Sequence, residues 1–247
     1  FFRPKAIRRY LRALRRTARL LGAVRDLDVA IARLEQFGGK KKRAAAEQAA
    51  ATLETWRAQR CAAHAALVAW LDSRHYARFV LRFAEFSATP GAGARDYTPK
   101  PGEQPIPHQV RHVAPSMILN RFENVRSFET LFEGETVPPV EVLHLLRIEC
   151  KYLRYNLEFV ESLLGPQVGE LLGELRTLQA DLGDLNDAAV SKRMMNEAQD
   201  GADPGVSRYE RAQDRIIHKL SSKAEKHLRT FTGYRNRRRL ALAIARI

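Results

Sequence analysis

The stretch HLLRIECKYLRYNLEF, residues 144–159, holds no Gly or Pro and carries two superposed helical periodicities. Leu143, Leu146, Cys150, Leu153, Leu157, Val160 and Leu164 recur at steps of three and four, an apolar seam on one face. His144, Arg147, Lys151 and Arg154 repeat with the same period one residue later, so they form a stripe about 100° around the helix. Like charges aligned in this way repel, by roughly a few tenths of a kcal/mol per pair when exposed. Glu149 and Glu158 offset this only in part. The seam predicts a buried helical core, and the stripe predicts an anionic ligand.

Working outward, Pro138-Pro139 opens this helix, proline being tolerated in a first turn, and Gly165-Pro166 closes it. Helical pattern also covers 8–21, where Gly22 is expected to end or bend the helix before Asp26 and Asp28 start the next. Further helices are predicted at 44–71, at 73–86 with Ser73 as cap, and at 117–131, 168–182, 184–198, 207–229 and 235–247. Gly38-Gly39 before Lys40-Lys41-Lys42-Arg43 reads as a loop. Between 87 and 112 fall five of the eleven prolines, joined by Gly91, Gly93 and Gly102, a flexible linker rather than a site. No period-two alternation bounded by turns is found, so the fold class is all-α.

The composition narrows the function classes. The chain has 247 residues, 45% apolar and 28% charged, with a formal net charge of +14 and a pI of about 10.2. It is long enough for a sizeable core and too apolar for disorder. Cys61 and Cys150 are too few for a disulfide framework and lack metal-type spacing, which points to a reducing compartment, the cytoplasm. No apolar run approaches the roughly 18 residues of a membrane span. The charge is concentrated: residues 1–43 carry a net +11 and 207–247 a net +9, leaving −6 for the rest. Two basic blocks at opposite ends of the chain point to one polyanionic partner.

Two more stripes reinforce this. Arg8, Arg12, Arg15 and Arg19, with Arg9 and Arg16 beside them, line one helix; Arg215, Lys219, Lys223 and Lys226 line another. Cations one helical turn apart suit a linear, closely charged anion, Arg offering bidentate donors to phosphate and Lys a point charge. A single such Arg is more often a side chain laying its stem over apolar surface with its head in water; three aligned rows are not explained that way.

The chain also resembles itself. At an offset of 161, residues 14–29 (LRRTARLLGAVRDLDV) lie over 175–190 (LRTLQADLGDLNDAAV), with identities at Leu14/Leu175, Arg15/Arg176, Leu21/Leu182, Gly22/Gly183, Asp26/Asp187 and Val29/Val190. Leu11/Leu172 extends the match, and Trp70 falls on Phe231, Arg74 on Arg235, Arg78 on Arg239 and Leu81 on Leu242. Duplication predicts two similar helical halves, 1–133 and 139–247, about a pseudo-twofold axis. By the same offset, the counterpart of the helix at 140–164 falls before residue 1.

The segment 144–155, together with LGAVRDLDV at 21–29 and LGDLNDAAV at 182–190, resembles the CHAD family, the conserved histidine α-helical domain. The likeness extends to the helix bearing Arg121 and Arg126 and to the closing RRRLALAIARI, so nearly the whole chain reads as one such domain. The resemblance implies two four-helix bundles related by a pseudo-twofold, enclosing a basic central cavity. It also implies binding of inorganic polyphosphate and association with polyphosphate granules. Carried over by motif, the second-half ligands are His144, Arg147, Lys151 and Arg154. Arg8, Arg12, Arg15, Arg16, Arg19, Arg25, Arg121, Arg126, Arg176, Lys219 and Lys223 complete the expected polyphosphate-binding set; Asn186 stands where the first half has Arg25.

Three function classes are compatible with this charge distribution. A non-catalytic polyphosphate-binding module needs only cation rows, loses affinity steeply with salt, and accepts phosphate or sulfate as mimics. Nucleic-acid binding is permitted by charge but less favoured: aromatics are 8% of the chain, none is interleaved regularly with the stripes, and no helix-turn-helix or zinc-finger pattern occurs. A polyphosphate-processing enzyme is the least favoured, since no P-loop and no nucleophile with an evident base is found. His108 and His112 stand four apart in the Pro-rich segment, a weak metal-type spacing, and no cofactor or metal is expected.

Overall fold

Gly22 does not end its helix. In the computed structural model of the protein, α1 (Pro4–Gly38) is a single helix of 35 residues. An interior Gly costs about 1 kcal/mol against Ala. Val24, Leu27, Ala30 and Leu34 beyond it are buried at steps of three and four, and each large one returns roughly 1.5–3 kcal/mol. Asp26 and Asp28 therefore sit inside the helix rather than at the start of another. Gly183 behaves likewise: α7 (Gln167–Ala198) joins the two helices expected on either side of it. The structure describes residues 2–38, 43–96, 98, 101, 102, 104, 109–133, 137–198 and 204–247. Of the loop expected at Gly38-Gly39, Gly38 is the last residue of α1 and Gly39 lies outside them, as do Lys40, Lys41, Lys42, Pro99, Pro105, Pro107 and His108.

The chain divides into two compact units, one of residues 1–106 with 194–205 and the other of residues 107–193 with 206–247. In the first, α1 packs on α2 (Arg43–Leu71) and α3 (Arg74–Ala88). Trp70 Nε1 donates to Thr17 Oγ1 (2.9 Å), Arg60 pairs with Asp28 (2.9 Å) and Arg57 with Glu35 (2.6 Å), so α2 runs antiparallel to α1. Trp56, Leu67 and Trp70 of α2 bury against this side. Ser73 caps α3 as expected, accepting from the Tyr76 N–H at 3.1 Å. Tyr10 stacks among Phe83 and Phe86 at 5.4 and 4.8 Å, which fixes α3 on α1.

The second unit contains α4 (Val110–Ser127), a 3-10 turn (Phe128–Phe132), α5 (Val140–Phe159), the short α6 (Glu161–Leu164), α7, α8 (Pro204–Thr232) and α9 (Tyr234–Ile244). Helix α4 starts seven residues before the expected 117, inside the segment read as linker, and runs through Pro115. Ala114 and Ile118 are the reason: both are fully buried, with Phe122 and Val125, in the unit's apolar cluster. By its packing on α5, α4 belongs to this unit. The seam Leu143, Leu146, Cys150, Leu153 and Leu157 is buried throughout, as its spacing predicts. It meets Leu171, Leu172, Leu175, Leu178, Leu182 and Leu185 of α7, with Leu228, Phe231 and Leu240 from α8 and α9. Gly165, at φ +79°, turns the chain out of α6. Among the described residues there is no strand beyond one isolated bridge, Phe2 to Ala94, and no helix is long and apolar enough to cross a membrane.

Candidate anion-binding site

Helix α5 carries the row His144, Arg147, Lys151 and Arg154 just off its buried seam, so packing against α7 decides which heads stay available. Two polar ties set that packing. His144 Nδ1 lies 2.8 Å from Asn186 Oδ1, and Glu158 accepts from both Arg154 and Arg176 at 3.1 Å. Because the Asn oxygen can only accept, Nδ1 donates, and Nε2 of this exposed residue has no partner among the described residues. His144 meets α7 at residue 186 and Glu158 meets it at 176, so the two helices are antiparallel.

The four residues of the row are not equivalent. Arg147 and Lys151 are half-buried and have no ion pair among the described residues. Arg154 is engaged by Glu158 and lies 4.8 Å from the Tyr155 ring centroid. Its Nε is buried and has no hydrogen-bond partner among the protein atoms. From α4, Arg121 reaches Glu149 at 2.9 Å and covers the Tyr152 ring at 4.8 Å, with Asn124 sharing the same carboxylate. Arg126 is paired with Glu123 on its own helix, 2.9 Å away.

The α8 row is exposed on the surface of the same unit, but Lys223 is committed. Its ammonium lies 2.7 Å from the buried carboxylate of Asp181, and His227 Nδ1 lies 2.5 Å from the other oxygen. That hydrogen bond and its charge push the Lys223 amine above its ordinary value. Lys219 and Lys226 have no ion pair among the described residues.

In the first unit, Arg8, Arg12, Arg15 and Arg19 are exposed and unpaired among the described residues. Arg16 lies over the Trp70 ring at 4.0 Å, and Arg9 donates to the Tyr10 hydroxyl at 2.6 Å. Arg25 is exposed and has a partner of its own. The structure thus brings Arg154 and Arg176 together on Glu158, ties Arg121 to Glu149, leaves Arg147 and Lys151 open beside His144, and keeps the α1 row free on its own unit.

Tyr152 and Tyr155 were missed by the sequence reading, which found no aromatic interleaved with the stripes. Both are exposed on α5 and face guanidiniums. The signal was present as Lys151-Tyr152 and Arg154-Tyr155, each aromatic directly after a cation. Among the described residues no group of three or more His, Cys, Asp or Glu is placed to hold a metal ion; His112 sits in the first turn of α4, and its neighbour in the expected pair lies outside them.

A search of curated proteins found no match. The family model described as the CHAD domain matches residues 1–196, which takes in α1 to α5 and most of α7. That span holds the α1 row, the α5 stripe and the glutamates that organise it, and by this match the chain belongs to the CHAD domain family.

Proposed function

We propose that the protein binds inorganic polyphosphate without turning it over. The observation that carries this reading is the α5 stripe, in which Arg147 and Lys151 stay unneutralised beside His144 while Glu149 and Glu158 of the same helix pair with other arginines. Free cations at a helical repeat stabilise an anion whose charges recur along a line, and phosphates in a chain do so. Membership of the CHAD family supports the same ligand.

In this reading His144, Arg147 and Lys151 contact phosphate directly, and Arg121, Arg154 and Arg176 hold the wall through Glu149 and Glu158. Arg8, Arg12, Arg15 and Arg19 supply a second row, with Lys219 as an outlying contact. Duplication of a helical half and the basic cavity that the family implies belong to the proposal, as does attachment to cytoplasmic polyphosphate granules.

The second reading is nucleic-acid binding, favoured by the exposed Tyr152 and Tyr155. Both rings already face guanidiniums, which leaves less of each for a stacked base. The test is a salt titration of polyphosphate binding by wild type and by Arg147→Ala and Lys151→Ala, with single-stranded DNA and RNA as competitors at equal phosphate. Weaker binding with a shallower salt slope in each variant, and no displacement by nucleic acid, supports polyphosphate. Displacement by nucleic acid, or unchanged slopes, refutes it.

A further inference from the structure

On α8, Arg208, Arg215, Lys219 and Lys226 follow one another at steps of seven, four and seven residues, close to whole turns, which keeps them on one face over roughly 27 Å. All four are exposed and have no ion pair among the described residues. At 100° per residue each stands about 180° from Ile217, which is buried with Ala224 and Leu228 in the unit's apolar cluster. The row therefore faces away from the bundle. The acids next to Arg215 and Lys226 in sequence are engaged elsewhere: Asp214 pairs with Lys192 of α7 at 2.7 Å and Glu225 with Arg229 at 3.1 Å.

This row does not continue the α5 stripe. Helix α7 meets α5 through Arg176 and Asn186 and meets α8 through Asp181 and Lys192, and at 100° per residue those two pairs lie on opposite sides of α7. Nor does the internal repeat supply it. At the offset of 161, Trp56, Leu67 and Trp70 of α2 fall on Ile217, Leu228 and Phe231, all buried, so α2 is the counterpart of α8. The four cations, however, fall on Glu47, Glu54, Ala58 and Ala65. Helix α8 also lies beyond residue 196, where the family match ends.

We propose that the outer face of α8 is a second polyphosphate-binding surface, separate from the α5 stripe, so that one protein bridges two stretches of chain. The choice of ligand rests on the reading of the α5 stripe as a polyphosphate site. Chemistry on the α8 face favours the same ligand over the other polyanions. Both aromatic rings of α8, Tyr209 and Phe231, are buried, so none is open to a stacked base. Ile216 is the one large apolar residue exposed among the described residues of the helix, too little to enter a lipid surface. What the face does offer is two guanidiniums and two ammoniums at intervals along a line, which a thread of phosphates neutralises. Two such surfaces on one protein hold a long chain more firmly than either alone and tie separate chains together.

Beads carrying biotinylated polyphosphate at low density capture the 247-residue chain, and fluorescent polyphosphate is then added after washing. Wild type is expected to recruit the label. The variant Arg208→Gln with Arg215→Gln and Lys226→Gln, all exposed and so compatible with folding, is captured through the α5 stripe but recruits roughly tenfold less label. Circular dichroism checks that it keeps its helix content. Equal recruitment by the triple variant, or none by wild type, overturns the proposal. Loss of capture by the triple variant does so as well, since the first chain then lies on α8. Single-stranded DNA or phosphatidylserine vesicles that displace the label from captured wild type at equal phosphate overturn the choice of ligand for this face. Failure of wild type to be captured at all refutes the polyphosphate reading of α5 itself, and the bridging with it.

Discussion

His144 on α5 and Asn186 on α7 are joined through Nδ1 and Oδ1 at 2.8 Å, and Nε2 has no partner among the described residues. The bond ties the first residue of the α5 row to the neighbouring helix and holds the ring at the head of the row that continues with Arg147 and Lys151.

His144→Ala should therefore weaken polyphosphate binding several-fold at fixed pH and salt, and Asn186→Ala, which leaves the imidazole in place but untied, should weaken it less. Affinities of both variants measured beside wild type check this; binding equal to wild type in both would show that neither the ring nor its tie takes part.

Cations that are free should matter more than those already paired. Arg147→Ala or Lys151→Ala should each lower the salt slope of binding by about one phosphate equivalent. Lys223→Ala should change it little, because Asp181 already engages that ammonium. Asp181→Asn releases Lys223 and should tighten binding. Since Asp181 is buried between Lys223 and His227, it should also cost about 1–3 kcal/mol in urea unfolding.

Gly22 and Gly183 sit within α1 and α7, and a Cβ built on either meets nothing within 4 Å. Gly22→Ala and Gly183→Ala should each stabilise the fold by about 0.5–1 kcal/mol. Thermal unfolding of the single and double variants tests this, and a loss of stability would mean that the helix needs the glycine for a reason other than space.

The two thiols should behave oppositely. Cys61 is exposed, whereas Cys150 is fully buried and burial pushes its thiol well up. A thiol reagent should label one cysteine in the native protein and two after unfolding. The folded state holds Cys150 neutral while the unfolded chain ionises it above about pH 8.5, so stability should fall as pH rises past that value. Cys150→Ala, compared at pH 8 and pH 10, should lose that part of the decline.

Helical periodicity is a local code, and what it encodes was legible. The buried seam from Leu143 to Leu157 follows from spacing alone, and the Ser73 cap from a hydroxyl residue before a helical run. The same local rules misplaced the boundaries at Gly22, Gly183 and Val110. A glycine's cost or a proline's lost hydrogen bond is about 1–3 kcal/mol, and burial of the flanking side chains outweighs it.

By themselves the residues determined an all-helical chain, three cationic rows and the family to which they belong. Only the tertiary structure decided which cations remain available. Arg121, Arg154, Arg176 and Lys223 look the same in sequence as Arg147 and Lys151, yet each finds an acid, three of them across a helix–helix contact. Ion pairing between segments depends on how two seams pack and where that leaves a carboxylate, a relation between distant residues that no periodicity along one helix records.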